Sequence, residues 1–142
     1  MIGDYKGSML TAIGGEMLEI RDGYARGTLP LSEKVMQPSH VYHAGAIVTL
    51  ADEVASAAIH GMNQWTEDEM YKKPFPYSIQ ISVNLLTNDP VGPLTAEANV
   101  VRRGRITVVD TVVKTSGGAD AALMRSAHMM VDLNKVGPHR KK

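Results

Sequence analysis

The run from His43 to His60, HAGAIVTLADEVASAAIH, is apolar on nearly every side yet carries one narrow polar stripe. Thr49, Asp52, Glu53, Ser56 and His60 follow the spacing that stacks side chains along one face of a helix. The remaining positions are mostly Ala, Val, Ile and Leu, too apolar for a helix lying on a surface, so the pattern predicts a helix that other elements wrap. A carboxylate on such a helix loses hydration and has to be paired, protonated or put to use. The bland alternative is the solvated face of an amphipathic helix.

The rest of the chain alternates as strands do. Residues 17–21 and 24–29 flank Asp22-Gly23, a two-residue turn suited to a hairpin. In residues 78–85, Ile79, Ile81, Val83 and Leu85 are expected on one face and Ser78, Gln80, Ser82 and Asn84 on the other. Residues 94–100, 106–114 and 123–133 complete four strands after the helix, and their short connections predict an antiparallel meander. The fold class is therefore α+β, one long buried helix wrapped by a curved antiparallel sheet. One sheet layer leaves an open edge and flank, so a homo-oligomer is expected. Met9, Leu10 and Ile13, with Tyr5, suggest a short first helix ending at Gly14-Gly15.

Composition removes several function classes. A chain of 142 residues is expected to form one domain, with its core over about residues 16–133 and a flexible basic tail over 135–142. Fifteen basic and 15 acidic residues cancel, which leaves no electrostatic case for nucleic acid or an anionic membrane. With no cysteine, disulfides, thiolate metal sites and a cysteine nucleophile are excluded. Three of the five histidines lie between His40 and His60, but no carboxylate stands at a metal-ligand spacing from them, so no metal site is expected. The chain shows no signal-peptide pattern and no apolar run of membrane-spanning length, which points to the cytoplasm.

The stretch Gln37-Pro38-Ser39-His40-Val41-Tyr42-His43-Ala44-Gly45, followed by Leu50-Ala51-Asp52, resembles the signature of hotdog-fold acyl-CoA thioesterases of the phenylacetate-pathway (PaaI-like) and 4-hydroxybenzoyl-CoA thioesterase type. That pattern has a Gln or Asn, a His-Gly-Gly six residues later, an acid nine residues after the His, and a Ser or Thr four beyond the acid. Gln37, His43, Asp52 and Ser56 stand at those spacings, and a Gly104-Arg105 pair precedes the Val-rich strand. One departure is Ala44, where the family has its first glycine.

The resemblance implies hydrolysis of a medium-chain or aryl acyl-CoA without metal or cofactor, coenzyme A being part of the substrate. It also implies sites at a dimer interface, with Asp52 and Ser56 of one subunit facing Gln37 and the helix start of its neighbour, in a dimer or tetramer. The chemistry fits these residue types. N–H groups of Ala44 and Gly45 at a helix start can stabilise an oxyanion, and Asp52 can activate water or attack directly. Ser56 would hold the water, Gln37 would orient water or substrate, and His43 would position substrate. Arg103 and Arg105 around Gly104 suit coenzyme A phosphates, although a solvated turn explains them equally. Pairing of Asp52 with Arg125 and a structural role for Glu53 on the helix rim are the competing roles weighed for the acids. Residues 61–77, with Trp65, Tyr71 and Phe75 and a capping-box spacing of Thr66 and Glu69, suggest a wall or lid over the acyl pocket, and packing against a neighbouring dimer explains them equally. A non-catalytic protein binding acyl thioesters or acyl carriers is the alternative that Ala44 keeps open. Dehydratases and hydratases of this fold pair His and acid at spacings absent here.

Overall fold

The computed structural model describes residues 8–61 and 71–136. Trp65, Thr66, Glu69, Tyr5 and most of the basic tail lie outside the described residues. A short helix α1 (Met9–Ala12) leads into strands β1 (Glu16–Arg21) and β2 (Tyr24–Leu29), helix α2 (Ala44–His60), and strands β3 (Phe75–Leu85), β4 (Leu94–Arg102), β5 (Ile106–Lys114) and β6 (Asp120–Val131). The six strands form one sheet in the order β1-β2-β4-β5-β6-β3, antiparallel throughout. No helix among the described residues is long and apolar enough to cross a membrane.

Helix α2 lies on the sheet because both surfaces are apolar and narrow. Ile47, Leu50, Ala51, Val54, Ala55 and Ala58 are fully buried against residues such as Ala25, Leu94, Ala96, Ala98, Val109 and Val113. Each buried Ile, Leu or Val contributes about 1.5–3 kcal/mol. Small residues on both sides let the backbones approach. A Cβ on Gly27 of β2 would stand 2.7 Å from Val54 Cγ2, so only glycine fits beneath the helix there. The helix ends at Gly61, whose left-handed φ of 67° terminates it.

Two expectations are corrected. Only β4, β5 and β6 form a meander, whereas β3 lies at the far edge against β6. The link over residues 86–93 is short yet crosses the ends of β5 and β6. Crossing three strand spacings takes only ~14 Å, within the ~26 Å reach of eight extended residues. Leu86 and Thr87 donate their N–H groups to Ala121 O at 2.8 and 3.2 Å, and the Asp89 carboxylate accepts from Val91 N, Gly92 N, Ser116 N and Ser116 Oγ, all within 2.8 Å. These bonds pin the link over the β5–β6 turn and hold the Asp89 carboxyl well below the usual carboxylate range.

The second correction concerns the alternation in β3. A bulge between Ser78 and Gln80 shifts its register against β6, pairing Ser78 with His128 and Ile81 with Ser126. Ser78 therefore shares the helix-facing side with Ile81 and Val83 instead of opposing them. The strand also begins at Phe75, so Phe75 and Pro76 belong to the sheet edge and not to the preceding link. Ile79, Ile81 and Leu85 remain 50%, 38% and 48% exposed along this strand.

Candidate active site

The approach to α2 is a folded loop held at several points. Tyr42 donates its N–H to Asn88 Oδ1 at 3.0 Å and its hydroxyl to Leu29 O at 2.7 Å, while His43 N–H reaches Val35 O at 2.7 Å. Between these anchors, Gln37 N–H donates to Val41 O and His40 N–H to Gln37 O, each at 2.9 Å, with His40 at a left-handed φ of 65°. Gln37 thus sits on a tight turn beside the helix start. His43 caps the helix, its Nδ1 accepting Gly45 N–H at 2.8 Å. The Ala44 N–H makes no hydrogen bond among the described residues and points from an exposed first turn.

Asp52 is half-buried on the middle of α2 and lines a groove of about 180 Å³ with Met9, Val48, Thr49, Glu53 and Ile81. Its Oδ1 accepts the Ser78 hydroxyl at 2.6 Å. Arg125 does not pair with Asp52; it forms a two-point ion pair with Asp110, at 2.6 and 2.7 Å. Glu53, next along the helix, accepts from Ser8 Oγ at 2.8 Å and Leu10 N–H at 2.9 Å and so holds α1 in place. Burial raises its carboxyl above the usual range, opposed by those two bonds. Ser56 lies one turn beyond Asp52, half-buried on the same face.

The helix start and Asp52 are eight residues apart, ~12 Å along the axis, so within one chain Gln37, His43, Ala44 and Gly45 form one group and Asp52 and Ser56 another. The turn carrying Arg103, Gly104 and Arg105 lies at the opposite end of α2. Arg103 Nη2 pairs with Asp22 Oδ1 at 2.6 Å, and its Nη1 donates to Ile59 O at 3.1 Å. Arg105 is exposed and makes no ion pair among the described residues. Among the described residues no group of three His, Asp or Glu is placed to hold a metal ion.

Sequence reasoning missed Ser78 and His128. Ser78 Oγ stands 3.2 Å from His128 Nδ1, and His128 Nε2 is 2.8 Å from Ser126 Oγ. His128 is fully buried, and burial lowers the pKa of its imidazole, an effect opposed by the charge of Asp52. The signal for this pair was the non-local pairing of β3 with β6, which one-dimensional periodicity does not carry.

No protein-family model matches the chain. It is 32% identical over 97 residues to 1,4-dihydroxy-2-naphthoyl-CoA hydrolase of Listeria monocytogenes, covering 68% of this chain and 73% of that protein. It is 29% identical over 106 residues to ComA2 of Bacillus subtilis, covering 75% and 79%. Among solved structures, a thioesterase from Haemophilus influenzae superposes with a TM-score of 0.75 at 24% identity, covering 89% of this chain and 84% of that one.

Proposed function

This chain belongs to the hotdog-fold acyl-CoA thioesterases, and from that premise we propose that it hydrolyses a medium-chain or aryl acyl-CoA in a site that two subunits complete. The observation that carries this reading is Asp52, a half-buried carboxylate opening onto a groove walled by Met9, Val48 and Ile81 beside β3, the last strand of the sheet among the described residues. An apolar wall next to an acid suits an acyl or aryl group held against the reacting carbonyl. The exposed Ile79, Ile81 and Leu85 along the same edge call for cover by a second copy.

In the proposed reaction, Asp52 takes a proton from water as the water oxygen bonds to the thioester carbonyl carbon. The oxyanion is held by the N–H groups at the start of the partner subunit's α2, chiefly that of Ala44, with Gly45 available when His43 releases it. Collapse breaks the carbon–sulfur bond, and the proton on Asp52 passes to the departing thiolate. Direct attack by Asp52 gives a mixed anhydride that water then opens, with the same net result. Gln37 and Ser56 orient the water, His43 positions the substrate, and Arg105 is the arginine of its turn best placed to meet the coenzyme A phosphates.

The occupation of Gly45 N–H by His43 favours one other reading, a protein that binds acyl thioesters or acyl carriers without turnover. Thiol release measured across straight-chain and aryl acyl-CoA substrates separates the two. Turnover with a preference for medium-chain or aryl groups is expected, and Asp52→Asn should lower kcat at least ~100-fold while Glu53→Gln changes it little. Micromolar binding with no turnover on any substrate would establish the binding reading instead.

A further inference from the structure

Behind Asp52 stands a line of three side chains that the reaction above does not use. Ser78 Oγ is 2.6 Å from Asp52 Oδ1 and 3.2 Å from His128 Nδ1, and His128 Nε2 is 2.8 Å from Ser126 Oγ. His128 and Ser126 are 0% and 1% exposed, so neither exchanges these partners for water. Two strands supply the line, and the bulge between Ser78 and Gln80 brings Ser78, itself exposed, to the helix side where it joins the buried pair to Asp52.

The direction of every bond in this line follows from its first member. An ionised carboxylate only accepts, so the single hydroxyl proton of Ser78 is given to Asp52. Ser78 then has only lone pairs to offer His128, which makes Nδ1 the protonated nitrogen. Burial disfavours the imidazolium, so Nε2 carries no proton and accepts the Ser126 hydroxyl. The result is a single run of donors from Ser126 through His128 and Ser78 to Asp52, each bond polarising the next. The titratable groups beside Asp52 are Glu53 on its own helix and His128 on β6.

We propose that Ser78, oriented by His128 and Ser126, is a positioning residue that fixes the Asp52 carboxylate through Oδ1 and leaves Oδ2 to the attacking water. A carboxylate at mid-helix otherwise has rotamer freedom, and a base displaced by an ångström loses much of its effect. The bulge in β3 is on this account a site feature, serving to aim one hydroxyl. The proposal rests on the reading of Asp52 as the acid of thioester hydrolysis.

Two measurements test it. Nitrogen-15 spectra of the intact protein report the tautomer of His128 whether or not a good substrate is in hand. The Nδ1–H form is expected in wild type and the Nε2–H form in Ser78→Ala, where Nδ1 has lost its acceptor and Ser126 remains. In steady-state kinetics, Ser78→Ala should lower kcat about tenfold or more with KM within about twofold, and Ser78→Thr, which keeps the hydroxyl, should restore most of it. An Nε2–H His128 in wild type overturns the proposal. So does wild-type kcat in Ser78→Ala beside an inactive Asp52→Asn, or a loss that Ser78→Thr does not relieve. Retained activity in Asp52→Asn overturns the assignment of Asp52 itself, a separate and recognisable result.

Discussion

His43 Nδ1 accepts the Gly45 N–H at 2.8 Å, so one of the two backbone donors at the start of α2 is already engaged by its own chain. The Ala44 N–H is left as the outward donor. Proline suits the first position of a helix, and His43 already has the extended ψ of 139° that a following proline requires. Ala44→Pro should therefore leave the melting temperature nearly unchanged while removing turnover. Ala44→Gly keeps the N–H and should retain or raise kcat. Equal activity in the two variants would take the oxyanion role away from this position.

The arginines around Gly104 are expected to separate. Arg103 ties the hairpin residue Asp22 to the last turn of α2 through Ile59 O, whereas Arg105 has no such duty. Arg103→Ala should cost about 1 kcal/mol of stability, read as a lower urea midpoint. Arg105→Ala should leave stability alone and raise KM for acyl-CoA, with the increase shrinking at high salt and vanishing for an acyl-pantetheine without the nucleotide. An unchanged KM for both substrates would make Arg105 part of a solvated turn.

Acid should weaken the fold well above the carboxylate range. Burial, with the Lys73 charge second, lowers the His60 pKa from 6.5 to about 4, and burial lowers that of His128 as well. Between pH 6.5 and about 4 the unfolded chain binds protons that folded His60 refuses, so stability falls as the pH drops through that window. Urea midpoints taken from pH 7.5 down to 4.5 should trace this decline. His60→Gln should flatten part of it, and an unaltered slope in that variant would assign the decline to other groups.

The parts of this molecule that sequence discloses are those set by local periodicity. The stripe on α2 placed Asp52, Glu53 and Ser56 on one face, and Glu53 does hold the helix rim, through Ser8 and Leu10. Alternation found β1, β2, β4 and β5 nearly residue for residue. It failed at β3, where one extra residue reverses the face of everything before it and brings Ser78 to Asp52. It also failed for the place of β3 in the sheet, because a link of eight residues is long enough to skip two strands. His128 read as one more position of an apolar strand, since its partners come from a strand distant in the chain.

The separation of Gln37 from Asp52 along one chain leads to the last expectation. Eight residues of helix put the helix start ~12 Å from Asp52, and β3 beside Asp52 is the last strand of the sheet among the described residues and carries the exposed Ile79, Ile81 and Leu85. On the proposed reading, a site that uses both groups draws them from two subunits. Asp52→Asn and Gln37→Ala are each expected to inactivate the oligomer. In a mixed dimer one site receives both damaged residues and the other receives neither. Unfolding the two variants together and refolding them makes about half the dimers mixed, so activity should return to about a quarter of wild type per subunit. Differently tagged chains allow the hybrids to be isolated and their composition verified. Purified hybrids with no recovered activity would mean that the two residues act from the same chain or that Gln37 takes no part, and the shared site would have to be abandoned.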